Sequence, residues 1–203
     1  MENTSDKPEG VEQAGRSPAA SSAASDETDK RLLAAVTRGN DQAFAELYQR
    51  HSQAIFNYLL RLIHDQGLAE DLLQETFVAV WRGADGFKHQ SQVKTWLIRI
   101  AHNSAVTWLR RHRPQSMQDD LEVVDDAPGP EMLLLIDWRN AALLSALNAL
   151  SPNHRAVVEL AFVQELPYSD IAEIMECPVG TVKSRMNYAL KHLHGLMIGA
   201  ELD

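Results

Sequence analysis

A chain of 203 residues with 45% hydrophobic content can hold one large or two small domains, and its net charge of −9 argues against a simple nucleic-acid binder until that charge is divided by region. No apolar run approaches the ~20 residues needed to cross a bilayer, and Cys177, the single cysteine, excludes an internal disulfide and a cysteine-based metal framework. The first residues lack a basic-then-apolar signal pattern, so a cytoplasmic protein without membrane insertion is the expectation.

The charge is segregated. Residues 1–29 carry −5, residues 30–115 carry +5, residues 116–137 carry −7 and residues 138–203 carry −2. The overall acidity therefore hides a basic domain. Residues 1–29 are rich in Ser, Ala, Glu and Asp with almost no large apolar side chains, and they read as a disordered acidic tail.

Helical periodicity starts at Asp29. Leu32, Leu33 and Val36 form one stripe, and Gly39-Asn40-Asp41 separates it from a long helix carrying Phe44, Leu47, Tyr48, Ile55, Tyr58, Leu59 and Leu62. His64-Asp65-Gln66-Gly67 breaks the pattern. Leu68 to Arg82 then places Leu72, Leu73, Thr76, Phe77, Val80 and Trp81 on a buried side, with Glu70, Asp71, Gln74 and Glu75 opposite. Those carboxylates suit the N-terminal half of a helix through its dipole, and equally suit docking against a basic partner helix. No His, Ser or metal-ligand pattern accompanies them, so neither catalytic nor metal-binding residues are assigned, and no cofactor is expected.

A polar loop over 84–95 contains Phe87, Lys88, His89, Gln90 and Lys94, and a helix over Thr95–Arg111 follows. Leu97, Ile100, Ala101, Ala105, Trp108 and Leu109 form its apolar side, with Trp108 read as core and Trp96 open to either role. Arg99, His102, Asn103, Thr107, Arg110 and Arg111 form its polar face, with His102 and His112 read as surface groups. Aromatic and basic side chains interleaved in this way suit single-stranded nucleic acid. Pro114 ends the domain. The acidic, Pro- and Gly-containing stretch that follows reads as a flexible linker over 116–131.

The second domain, 132–203, opens with a helix whose pattern begins at Glu131 and carries Leu134, Leu135, Trp138, Leu143, Leu147 and Leu150. Ser151-Pro152 starts another, with Val157, Val158, Leu160 and Ala161 apolar and Leu166-Pro167 closing it. Tyr168–Glu176 then forms a short helix with Ser169 as N-cap, placing Ile171, Ala172 and Met175 on one face. Cys177-Pro178-Val179-Gly180 interrupts the period, and Thr181 caps a second helix with Val182, Met186, Ala189, Leu190 and Leu193 as its apolar stripe. Thr181, Lys183, Ser184, Arg185, Asn187 and Lys191 remain outside. This is a helix-turn-helix pattern whose second helix can enter a major groove, although an amphipathic helix after a turn is also compatible with a merely solvated face. The expected fold is all-α, two small helical domains joined by a flexible acidic linker.

With these stretches identified, the chain resembles a group IV, or extracytoplasmic-function (ECF), sigma factor of bacterial RNA polymerase. DLLQETFVAVW (71–81) looks like sigma region 2.2, TWLIRIAHNSAVTWLRR (95–111) like regions 2.3–2.4, and LSPNHRAVVEL (150–160) with IAEIMECPVGTVKSR like regions 4.1–4.2. The resemblance implies that Asp71, Gln74 and Glu75 dock on the β′ subunit of core polymerase. It implies that the 87–94 loop, with Lys88 and Lys94, and the face bearing Trp96, Arg99, Asn103, Thr107, Arg110 and Arg111 hold the minus-ten element's non-template strand. Val179, Thr181, Lys183, Ser184, Arg185 and Asn187 would read the minus-thirty-five duplex. The implied partners are core RNA polymerase (β and β′), promoter DNA and an anti-sigma factor, and bond-making stays with the polymerase. Two positions depart from the pattern: Glu176 where a turn Gly is common, and His102 where Arg or Lys is frequent, which would make a phosphate contact pH-dependent.

Two readings from other classes compete. A stand-alone helix-turn-helix regulator predicts dimerisation and a palindromic site, but leaves the basic face over 94–111 without a role. A helical nuclease would use Glu70, Asp71 and Glu75 to hold a metal.

Overall fold

The structure, a computed structural model, describes residues 18–112 and 141–200, with their side chains over 23–112 and 145–195. Regular structure among these residues is helical throughout: α1 (Pro18–Val36), α2 (Asp41–Ile63), α3 (Gln66–Gly83) and α4 (Val93–His112), then α5 (Ala141–Ala149), α6 (Pro152–Val158), α7 (Tyr168–Ile174) and α8 (Val179–Ala200). A 3₁₀ turn at Ala84–Gly86 follows α3, and a π turn at Glu159–Val163 continues α6. The all-α, two-domain expectation holds. The linker expected over 116–131, Arg113, and the start of the helix expected from Glu131 lie outside the described residues.

Short polar side chains punctuate the first domain. The Asn40 side chain accepts from the Ala43 amide at 2.9 Å to start α2, and Asp65 accepts from the Leu68 amide at 2.9 Å to start α3. Each satisfies a backbone donor that the helix leaves unpaired. The apolar stripes then meet: Leu47, Ile55, Tyr58, Leu59 and Leu62 of α2 pack with Leu72, Phe77 and Val80 of α3 and Leu97, Ile98, Ala101 and Ala105 of α4. Burying each large side chain contributes roughly 1.5–3 kcal/mol. Trp81 departs from expectation. It stays 40% exposed at the rim, in edge-on contact with Phe44 at 5.1 Å.

The expected tail over 1–29 overlaps a helix, because α1 begins at Pro18, eleven residues before the periodicity becomes visible. Its acids are structural. Asp29 is 2% exposed and accepts from Arg50 Nε at 2.6 Å, with His51 Nε2 at 2.9 Å. Burial alone would raise its pKa, but the hydrogen bonds and charges of His51 and Arg50 outweigh that and hold it below the usual carboxylate range. Asp26 accepts from the Val93 amide at 2.8 Å and so caps α4 from a distant helix.

In the second domain Ser151 is the N-cap residue and Pro152 opens α6, as the pattern indicates, but the Ser151 hydroxyl pairs with His154 Nδ1 at 2.8 Å rather than with backbone. Arg155, 3% exposed, organises the turn between α5 and α6 by donating to the carbonyls of Leu147, Asn148 and Leu150 at 2.7–2.9 Å. Ile171, Ala172, Val182, Met186, Ala189, Leu190 and Leu193 are buried as expected. The helix boundaries differ: Pro167, not Ser169, occupies the N-cap of α7, which ends at Ile174. Thr181 lies inside the first turn of α8, because its amide and that of Val182 donate to the Pro178 carbonyl at 2.9 and 3.2 Å. Glu176 adopts φ +50°, the left-handed backbone that the resemblance implied a glycine for.

Candidate nucleic-acid interface

On α3 the core-facing stripe turns the remaining side outward. Asp71, Gln74 and Glu75 are all exposed there, and with Val78, Ala79 and Arg82 they line a shallow groove. Val78 is 46% exposed, so the surface pairs acidic and amide groups with an apolar contact point, which suits a partner carrying cations on a hydrophobic stem. Around the edge of α3, Asp71 and Glu75 share a second groove with Asn103, Thr107 and Arg111 of α4. The docking and strand-contacting residues expected in the first domain thus adjoin. Among the described residues, no group of three or more His, Cys, Asp or Glu side chains is placed to hold a metal, so Glu70, Asp71 and Glu75 do not form a nuclease-like cluster.

The polar face of α4 is less uniform than its sequence. Lys88, Arg110 and Arg111 are exposed, Thr107 is half-buried, and Asn103 is exposed at its outer edge. Trp96 is 8% exposed and packs on Phe87 at 5.4 Å, so its indole is not an open stacking platform. It instead walls a cavity of ≈190 Å³ beside Phe87, Lys88, Gln90 and Arg99. Trp96, left open by its pattern, is the buried tryptophan, whereas Trp108, expected in the core, is only half-buried and stacks on His112 at 4.4 Å.

His102 is a correction. It is 4% exposed rather than a surface group, and Tyr58 Oη lies 2.6 Å from its Nδ1. Burial, then the charge of Glu159, pushes the Tyr58 phenol far above its ordinary range, so it stays protonated and shares a hydrogen bond with Nδ1. Burial, then the charge of Arg185, lowers the imidazole pKa to about 4. A ring neutral at physiological pH and facing the core makes no pH-dependent phosphate contact. His102 lies four residues after the buried Ile98 and three before the buried Ala105, so it falls on the border between the core stripe and the polar face, and packing rather than spacing draws it inward.

In the second domain the first turns of α8 present the expected reading groups. Val179 is 41% exposed, Lys183 is exposed, and Thr181, Ser184, Arg185 and Asn187 are half-buried. Ser184 Oγ donates to the Thr181 carbonyl at 3.1 Å, which fixes the Ser184 hydroxyl against the helix backbone. Arg185 Nη1 lies 3.9 Å from Cys177 Sγ. Burial raises the Cys177 thiol pKa, the nearby Arg185 opposing it, so this half-buried sulfur packs as a neutral thiol.

The pattern reading did not anticipate that four polar groups of α4 already have partners in the second domain. Thr95 Oγ1 donates to Asp170 at 3.0 Å, Arg99 Nη1 pairs with Glu173 at 2.7 Å, Asn103 Nδ2 donates to Glu176 at 3.1 Å, and Lys94 Nζ donates to the Gln164 carbonyl at 2.9 Å. Burial lowers the Lys94 pKa, with Glu165 opposing. The only signal in sequence is the three-residue spacing of Asp170, Glu173 and Glu176, which says nothing about what lies opposite.

Comparison with known proteins agrees with this geometry. The family model described as Sigma-70 region 2 matches residues 47–115, and that described as Sigma-70, region 4 matches residues 140–193. The RNA polymerase sigma-H factor of Pseudomonas aeruginosa is 34% identical over 79% of this chain and 89% of its own length. The ECF RNA polymerase sigma-E factor of Haemophilus influenzae is 32% identical over 78% of this chain and 89% of its own. Among solved structures, CnrH in complex with the cytosolic domain of CnrY superposes with a TM-score of 0.63 at 26% identity, covering 85% of this chain and 98% of that one. The sigma factor RpoE of Bartonella quintana, in complex with the anti-sigma factor NepR, gives 0.59 at 26% identity, covering 76% and 96%.

Proposed function

The chain belongs to the sigma-70 family, in its extracytoplasmic-function branch, and from that premise we propose how its surfaces divide the work of starting transcription. The exposed Asp71, Gln74 and Glu75 of α3 dock on core RNA polymerase, in the cytoplasm where that enzyme acts. The 87–94 loop and the α4 face bearing Lys94, Arg99, Asn103, Thr107, Arg110 and Arg111 hold the minus-ten non-template strand. Val179, Thr181, Lys183, Ser184, Arg185 and Asn187 on α8 read the minus-thirty-five duplex. The carrying observation is adjacency: the acidic docking surface and the polar, basic face share one groove, so a docked polymerase delivers an opened strand directly onto α4.

The proposed units are residues 30–115, extended by α1, for docking and strand contact, and 132–203 for duplex reading. Phosphate contacts supply position and base-edge contacts supply choice. Trp96 contributes as a wall of the ≈190 Å³ cavity rather than as a free platform. Bond formation is left to the polymerase. Since CnrH and RpoE are solved with protein partners, NepR being an anti-sigma factor, an anti-sigma partner is proposed here too.

Run-off transcription with purified core polymerase on a library of promoter fragments tests the assignment. Start sites that require this protein are expected. Asp71→Ala lowers core binding, and Arg185→Ala lowers initiation while leaving core binding intact, each by about tenfold or more, the equivalent of ~1.4 kcal/mol. No stimulation by folded protein, together with tight duplex binding by the free chain, would instead favour a stand-alone regulator.

A further inference from the structure

The strand-contacting face of α4 is not vacant in the free chain. Asp170, Glu173 and Glu176 recur at three-residue steps along α7 and the turn that ends it, while Thr95, Arg99 and Asn103 recur at four-residue steps along α4. Both spacings keep side chains on one side of a helix. The two rows meet rung by rung, at 3.0, 2.7 and 3.1 Å. The second and third rungs put a carboxylate oxygen on Arg99 and Asn103, donors assigned above to the strand, and the first anchors the row at Thr95, so the acidic row imitates a polyanion.

The interface has two unequal edges. Along one, Arg61 pairs with Glu159 at 2.7 Å, and Arg155 donates to the carbonyls of Arg61 and Leu62 at 3.3 Å, with Glu159 and Arg155 only 2% and 3% exposed. Along the other, Arg99 and Glu173 each keep 34% of their side chains in solvent. Water and salt screen such a pair, so a competing anion can displace it, whereas the buried edge resists exchange.

We propose that α7 is an intramolecular latch, an acidic ladder that occupies the strand-contacting donors of α4 in the free chain and is displaced before they engage nucleic acid. This rests on the strand-contacting role given to α4 above, and adds that the chain masks that face by itself.

Two measurements on the full chain test it. Small-angle scattering of Glu173→Arg, which sets like charges at the central rung, is expected to give a larger radius of gyration than wild type, and the swap Arg99→Glu/Glu173→Arg to restore the wild-type value. Circular dichroism verifies that each variant is folded. Then a fluorescein-labelled 20-nucleotide single strand of randomised sequence is titrated into Asp170→Asn/Glu173→Gln/Glu176→Gln. The comparison protein, Glu46→Gln/Glu70→Gln/Asp85→Asn, carries the same charge change away from the ladder. The latch variant is expected to bind roughly tenfold more tightly than that comparison. An unchanged radius in folded Glu173→Arg overturns the latch. An expanded chain with equal strand binding by the two neutralised proteins overturns the masking. Transcription unaffected by Arg99→Ala would instead remove the strand-contacting role of α4 while leaving the scattering result standing.

Discussion

His102 shows how one residue's burial reverses a functional reading. Its folded pKa of about 4 lies below the ordinary 6.5 because burial, and then Arg185, disfavour the charged ring. Between those values the unfolded imidazole holds a proton that the folded one does not. Stability is therefore full above about pH 6.5 and is withdrawn as pH falls toward 4. The loss expected between pH 7 and 5 is about 2 kcal/mol. Urea unfolding at the two pH values checks this, with His102→Gln expected to lose most of that difference while still able to hydrogen-bond Tyr58. At Asp29 the same sign holds, because its pKa too is lowered on folding. Its lowered carboxyl stabilises the fold above the ordinary carboxylate range, and Asp29→Asn, which removes the charge facing Arg50 and His51, is expected to cost on the order of 2 kcal/mol by thermal unfolding.

At the scale of the elements, α1 and the turn after α7 carry the clearest consequences. Asp26 supplies a side-chain cap to the first amide of α4 from another helix. Asp26→Ala is expected to cost ~1 kcal/mol of stability by urea unfolding, the usual size of a lost N-cap, and to speed amide exchange in the first turn of α4. Glu176 holds a left-handed backbone at φ +50° without the freedom of a glycine. Glu176→Gly is expected to stabilise the second domain by about 1 kcal/mol, measured as a raised midpoint in calorimetry, even though it deletes the bond to Asn103. A fall in midpoint would mean that the interdomain bond outweighs backbone strain.

For the molecule as a whole, Arg155 joins scales: it ties the turn between α5 and α6 and also reaches the carbonyl end of α2. Arg155→Met keeps the aliphatic stem but leaves several buried carbonyls without a donor. It is expected to destabilise the chain by roughly 3 kcal/mol and to uncouple the melting of the two domains in calorimetry. Two separate transitions in the variant against one in the wild type would identify Arg155 as a coupling element.

The sequence by itself determined the helical class and the helix-turn-helix pattern, while the residues proposed for polymerase and promoter rest on family resemblance. The class and the pattern follow from local rules: period-3.6 stripes such as Val182, Met186 and Leu193, and breaks at Pro178 or Asp65. Only the tertiary structure decided which polar residues are free. Asp26, Asp29 and His102 look like surface groups because a polar side chain one turn from an apolar stripe is ordinarily solvated, and Trp96 is open to either role. Asp26, Asp29 and His102 are claimed by partners 22 or more residues away, and Trp96 by burial against the loop. The ladder between α4 and α7 is the extreme case, with partners 73–75 residues apart. Spacing tells which side chains share a helix face, but which face meets which is set by packing the whole chain, and no local pattern encodes that.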